Sequence, residues 1–212
     1  MITLNVVAPA DLSTLRSLLA AAATPVHFLA GGTDLLIAGR LLPDTGLLVD
    51  LSRMAGMTFI AARDGEISIG PATTVAGLAA HEGLRARFPA LSEAAAQCGS
   101  VQIRNRATIG GNIANASPGA DLMPVLLAAG ARLSLLEPDC EWNEVSLLDF
   151  APAPGRLIVE VILPKESILP CSAFVKLGAR RDLTISRLSL ALLAELQDGR
   201  FGAVRLAAGA IG

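Results

Sequence analysis

The chain of 212 residues has no tyrosine, one tryptophan, two histidines and three cysteines. With aromatics at 3% it has no platform for stacking nucleic-acid bases. A formal net charge of −2 supplies no basic face for nucleic acid or an anionic membrane. His27 and His81 have no second histidine or glutamate at a metal-binding interval, so no metal site is expected. Cys98, Cys140 and Cys171 are far apart and match no disulfide, zinc or iron–sulfur spacing; they read as free thiols of a cytoplasmic protein. No Gly-x-Ser-x-Gly elbow or Cys/His pairing is present, so no catalytic residue is assigned. Walker A and Gly-x-Gly-x-x-Gly patterns are missing too, which removes the phosphate loop and the Rossmann site. Although 52% of residues are apolar, no window of about 18 escapes a charge, proline or glycine pair, so no membrane span is expected. No basic stretch precedes an apolar run at the N-terminus, so no signal peptide is read there.

What is present is apolar periodicity. Ile2, Leu4 and Val6 alternate as a strand, and Asp11 caps a helix carrying Leu12, Leu15, Leu18 and Leu19. Thr24-Pro25 ends it, and residues 26–29 and 47–51 read as buried strands. Residues 59–61 and 67–69 flank Asp64-Gly65, a hairpin signal. Thr73 or Thr74 caps a helix through Val75, Leu78 and Ala79, and Pro89 opens another through Leu91, Ala94, Ala95 and Cys98. Residues 122–136 predict a buried helix and then a strand, and 157–163, closed by Pro164, is the most strand-like run. After a polar hinge with Pro164, Lys165, Glu166 and Pro170, residues 173–176 resume as a strand, and Leu188, Leu190, Leu192, Leu193 and Leu196 form a helix or a strand. The run 204–211 calls for sheet neighbours on both sides. A C-terminal unit of roughly 45 residues is too small for its own core, so it packs on the rest, pairs with a partner, or is cut short.

Two stretches stand out. Ala30-Gly31-Gly32-Thr33-Asp34-Leu35-Leu36 follows a strand and enters an apolar helical turn with Ile37 and Ala38. Residues 108–121 run Thr-Ile-Gly-Gly-Asn-Ile-Ala-Asn-Ala-Ser-Pro-Gly-Ala-Asp and open onto Leu122 and Met123. Without a Cβ, Gly110 and Gly111 are free to take positive φ and let a ligand reach main-chain N–H groups. Two such loops bracket a pyrophosphate if both are anion cradles; otherwise they are two tight turns. Arg104 and Arg106, just upstream, either neutralise an anion or stand as solvated charges. A chain with two cradles and no nucleophile holds a cofactor that does the chemistry itself.

These residues resemble the two FAD-binding signatures of the molybdenum hydroxylase medium subunit, the flavoprotein of the xanthine dehydrogenase and carbon monoxide dehydrogenase group. Ile69-Gly70-Pro71-Ala72-Thr73-Thr74, the strand end at 160–164 and Ala173-Phe174-Val175-Lys176 with Arg180-Arg181-Asp182 extend the resemblance. It implies an α+β fold: a PCMH-type FAD-binding domain of two α/β subdomains, 1–55 and 56–166, and at 167–212 the start of a C-terminal domain like that of the carbon monoxide dehydrogenase flavoprotein. It places Ala30, Gly31, Gly32, Thr33 and Asp34 on the pyrophosphate, with Leu29 and Leu35 beside them at the cofactor. Thr108, Gly111, Asn112 and Asn115 fall on the pyrophosphate and ribityl chain, with Ala107, Gly110 and Ala114 also at the cofactor. Asp121 supplies an acidic contact, and Val159 and Lys176 supply a backbone and a basic contact near the flavin.

The implied role is electron transfer in a heterotrimer. A molybdopterin large subunit oxidises substrate, an iron–sulfur small subunit relays electrons, and FAD passes them to NAD, quinone or oxygen. Two other readings stand beside it, a stand-alone FAD oxidoreductase of the same superfold and a structural subunit without flavin. The family's C-terminal domain continues past Gly212, so the chain reads as truncated, and it carries no cysteine-rich insertion for an extra cluster. On this reading Asp121→Ala weakens flavin retention and leaves the fold intact.

Overall fold

The computed structural model describes residues 3–37, 43–167, 169, 171–179 and 186–210. Ile2, Ala38, Pro170 and the Arg180-Arg181-Asp182 triplet lie outside the described residues. The chain opens with β1 (Thr3–Val7), α1 (Leu12–Ala21), β2 (Val26–Leu29) and β3 (Thr45–Asp50). All three strands are parallel and β3 lies in the middle. Parallel neighbours need crossovers, and α1 makes the one between β1 and β2. It starts where expected: the Thr14 N–H donates to Asp11 Oδ1 at 2.8 Å, a bond that holds the Asp11 carboxyl below its ordinary range. Leu15 and Leu19 on its inner face pack with Val26 and Val49.

The middle of the chain builds a larger unit. The strands β4 (Ile60–Arg63) and β5 (Glu66–Ile69) form a hairpin whose turn residues, Asp64 and Gly65, have φ of 51° and 92°. Positive φ at both turn positions matches the right-handed twist of the strands, which is why Asp-Gly marks such turns. Six helices follow before the sheet resumes: α2 (Val75–Ala80), α3 (Glu82–Arg87), α4 (Pro89–Gln97), α5 (Val101–Arg104), α6 (Ile109–Ala114) and α7 (Leu122–Ala128). The strands β6 (Arg132–Leu136), β7 (Trp142–Ser146) and β8 (Leu157–Leu163) complete an antiparallel sheet in the order β4-β5-β8-β6-β7. The most strand-like run therefore takes the central position, where an apolar sequence is covered on both faces. The main core joins Ile69, Leu91, Ile109, Ile113, Leu126, Leu133 and Val161, all fully buried. A second core carries Met57, Ala72, Leu136 and Leu157 against Leu15 and Val49, seating the first sheet on the second.

Thr74 is the cap of α2, accepting from the Gly77 N–H at 3.0 Å, whereas the Thr73 hydroxyl donates to Phe59 O at 3.0 Å. The helix α3 was not expected from the pattern. Its cap is His81, whose Nδ1 accepts from the Leu84 N–H at 3.0 Å, a structural task for that histidine.

The last unit is an antiparallel meander, β9 (Cys171–Gly178), β10 (Ser186–Gln197) and β11 (Arg200–Gly209), with β10 central. Burial of Ala191 and Leu193 between half-buried Leu190 and Leu192 is the two-residue period of a strand, which decides between the two expected forms of that run. The terminal run departs from expectation. Among the described residues β11 pairs with β10 alone, and Val204 and Leu206 stay exposed. The unit packs on the rest of the chain. Phe174, Ala191 and Leu193 join the main core, and the Ala210 N–H donates to Pro118 O at 2.9 Å. No helix among the described residues is long and apolar enough to cross a membrane.

Leu133 is fully buried and Leu148 is 79% exposed. Leu133→Ala is expected to cost about 2–5 kcal/mol in urea denaturation, and Leu148→Ala less than about 0.5 kcal/mol.

Candidate functional site

The two glycine stretches meet backbone to backbone. A Cβ on Gly31 would lie 2.0 Å from Arg106 O, so only glycine lets β2's exit loop lie against the strand-like approach to α6. That approach is pinned in turn: Val75 N–H donates to Ala107 O at 2.8 Å, Ile109 N–H to Thr73 O at 3.0 Å and Gly110 N–H to Pro71 O at 2.9 Å. A Cβ on Gly110 would meet Pro71 Cβ at 2.7 Å, so close packing dictates this glycine as well.

The expectation of two equivalent anion cradles is corrected here. Gly110 and Gly111 lie in α6 and have no positive φ; in the pair Gly31-Gly32 only Gly32 does, at 73°. Thr108 caps α6, accepting from the Gly111 N–H at 3.1 Å, and its carbonyl takes the Asn112 N–H at 2.9 Å. With the bonds to Thr73 and Pro71, every amide from Ile109 to Asn112 is spent inside the protein. The first loop is the reverse. Leu36 N–H donates to Gly32 O at 3.1 Å, closing a helical turn, and among the described residues nothing accepts from the amides of residues 31–35. The first amides of a turn have no partner of their own, and a run of them forms a concave anion site. One stretch thus offers donors, and the other offers a compact wall.

Leu29, Ala30, Gly31, Gly32, Thr33, Asp34, Leu35, Ala107, Thr108, Gly111, Asn112, Ala114 and Asn115 surround one cavity of about 280 Å³, together with Phe28. Asn112 Oδ1 is buried without a hydrogen-bond partner. An unpaired buried acceptor is costly and marks a place for a donor. Gly110 faces an adjoining cavity of about 390 Å³, which shares Phe28, Ala30, Gly111 and Ala114 with the first. The larger cavity is mostly apolar, lined by Met57, Pro71, Phe150, Leu157 and Ile158. Its wall at Pro152, Ala153, Pro154 and Gly155 is fastened by Arg156, which donates to Ala151 O at 2.7 Å and pairs with Glu137 at 2.9 Å.

Three expected site residues line neither cavity. Val159 packs on the second core, while its neighbours Leu157 and Ile158 reach the larger cavity. Asp121 and Lys176 instead pair with each other at 2.6 Å, 5% and 7% exposed. Of the two arginines, Arg104 donates to Cys98 O and Gly99 O at 3.1 and 2.9 Å and so staples backbone; Arg106 stays exposed beside Ser52 and Thr74. Cys98 sits near the buried pair. Burial first, then the Asp121 charge, pushes its thiol up to about 11, against the opposing pull of Lys176 and Arg104. Reading the sequence missed Phe28, the Pro152 to Gly155 wall and Ser186. Phe28 had a signal, being one of six phenylalanines in a chain without tyrosine and adjoining the first glycine stretch.

Residues 2–166 match the family model described as the FAD binding domain in molybdopterin dehydrogenase. The chain is 29% identical over 185 residues to the nicotinate dehydrogenase FAD-subunit of Eubacterium barkeri, covering 82% of this chain and 62% of that protein. It is 34% identical over 193 residues to the xanthine dehydrogenase FAD-binding subunit of Escherichia coli O157:H7, covering 85% and 65%. It thus spans less than two thirds of the length of these curated relatives. Among solved structures, reconstituted CO dehydrogenase from Oligotropha carboxidovorans superposes with a TM-score of 0.87 at 25% identity, over 99% of this chain and 76% of that one.

Removing one partner of a buried ion pair strands the other charge. Asp121→Ala is therefore expected to lower unfolding stability by about 3–5 kcal/mol, contrary to the intact fold anticipated from sequence, with the double variant Asp121→Leu/Lys176→Met more stable than the single one in urea denaturation. Iodoacetamide at pH 8 is expected to modify Cys98 roughly a hundredfold more slowly than an unperturbed thiol, read by mass spectrometry of the alkylated peptide.

Proposed function

Because the chain belongs to the family of FAD-binding domains of molybdopterin dehydrogenases, we propose that it is the FAD-carrying, electron-transferring part of such an oxidoreductase. The observation that carries the reading is the run of amides at residues 31–35 with no acceptor among the described residues, around the same cavity as the orphaned Asn112 oxygen. The donor set fits the cofactor. A pyrophosphate is an acceptor with two negative charges, and consecutive amides plus the Thr33 hydroxyl are suited to it. Asn112 Oδ1 wants a donor, and the ribityl chain of FAD carries hydroxyls. The adjoining apolar cavity, with Phe28 at the junction, suits a flat ring.

In this reading Leu29, Ala30, Gly31, Gly32, Thr33, Asp34 and Leu35 hold the pyrophosphate. Ala107, Thr108, Gly110, Gly111, Ala114 and Asn115 form the wall opposite. When bound, FAD supplies reversible two-electron chemistry that no side chain here can provide. The chain itself binds, orients and partly encloses it, and none of its residues is assigned as an acid or base. Asp121, Val159 and Lys176 act at one remove, by placing elements that do line the cavities.

The wider assignment follows the family. Electrons come from an iron–sulfur small subunit served by a molybdopterin large subunit and leave to NAD, quinone or oxygen, in the cytoplasm. The chain divides into FAD subdomains at 1–55 and 56–166 and the beginning of a C-terminal domain at 167–212. The relatives, named as FAD subunits of nicotinate and xanthine dehydrogenases, support this reading.

Titration of the purified chain with FAD, followed by quenching of flavin fluorescence, is expected to saturate at one equivalent. Gly31→Ala is expected to weaken binding at least tenfold by forcing the loop off Arg106 O, and Asn112→Ala about fivefold through one lost hydrogen bond. Unquenched fluorescence at every FAD concentration would remove the flavin assignment.

A further inference from the structure

A buried ammonium ties the C-terminal sheet to the segment that carries the cavity wall. Lys176 on β9 donates to Gln97 O at 3.2 Å and to Asp121 Oδ2 at 2.6 Å. Ser186, the first residue of β10 and 6% exposed, donates to Asp121 Oδ1 at 2.5 Å. Gln97 ends α4 and Asp121 immediately precedes α7. A single side chain thus holds both ends of residues 98–121. That segment contains the Arg104 staple, the Arg106 carbonyl against Gly31, and all of α6.

We propose that Ser186 is a positioning residue for the FAD site, setting the Lys176 ammonium where it pins both ends of the cavity-bearing segment. This rests on the FAD reading above. At 5% exposure the Asp121 carboxylate has little access to water, so its two oxygens depend on protein donors. Among the described residues Ser186 satisfies one, which leaves the ammonium to bridge the other and Gln97 O. Without the hydroxyl, the carboxylate turns to share the ammonium between both oxygens and draws it from Gln97 O. The ion pair survives and the cores are untouched, but the Gln97 end of the segment loses its tie to the sheet, which loosens residues 98–108. The expected effect therefore appears at the cavity more than in global stability.

The test compares wild type, Ser186→Ala and Ser186→Thr, the last keeping the hydroxyl. Hydrogen exchange of the ligand-free chain is read by mass spectrometry on peptides covering 98–108, and FAD affinity by fluorescence quenching. Thermal melts of all three identify any general loss of folding. Ser186→Ala is expected to exchange about tenfold faster in those peptides and to bind FAD about tenfold more weakly, with Ser186→Thr close to wild type in both. Unchanged exchange in Ser186→Ala overturns the proposal, as does faster exchange with unchanged affinity, or exchange raised equally across the whole chain. A wild-type chain that never quenches FAD overturns the flavin reading instead, and the exchange result then still decides whether Ser186 sets the segment.

Discussion

At Gly31 two lengths of backbone approach so closely that a single methyl group would drive them apart. The rest of the site depends on that approach. It brings the exit of a parallel sheet against the entrance of α6, a helix that belongs to another layer of the fold. A cavity forms between them because one side has spent its amides on Thr73, Pro71 and Thr108, and the other has kept its own. Had both sides been satisfied internally, the same contact would make a plain packing interface. Had neither been, several buried amides would be left without partners, a cost proteins rarely carry.

Much of this was legible because it is local chemistry. Asp11, Thr74 and Pro89 mark helix starts through the cap or the fixed φ they provide, and Asp64-Gly65 gives a hairpin for the same kind of reason. The two glycine stretches were visible as well, and the residues expected around them largely surround one cavity. Their division of labour was not visible. Whether an amide is free depends on acceptors far along the chain, and the carbonyls of Pro71 and Thr73 reach α6 only once the helices are packed. The α3 helix escaped notice because its cap is a histidine, outside the residues that usually announce a helix start.

The pairing of Asp121 with Lys176 shows the same limit from another direction. The resemblance singled out each residue separately, one in a small-residue stretch and one in a strand. Their meeting is a product of tertiary packing that lays β9 beside α4 and near the start of α7. A buried ion pair is weak evidence for stability, since desolvation takes back much of the attraction. What it does is tie three elements together, since the carboxylate, the ammonium and the Gln97 carbonyl meet at one point.

The wall of the larger cavity carries a thermodynamic consequence of its own. Pro152 and Pro154 hold φ near its ring-imposed value, and Arg156 ties the end of the same short run to Ala151 and Glu137. A loop so restricted has little conformational freedom, part of it already removed from the unfolded chain by the proline rings. A guest entering the cavity meets a surface with little entropy left to lose, and more of its contact energy is kept as affinity.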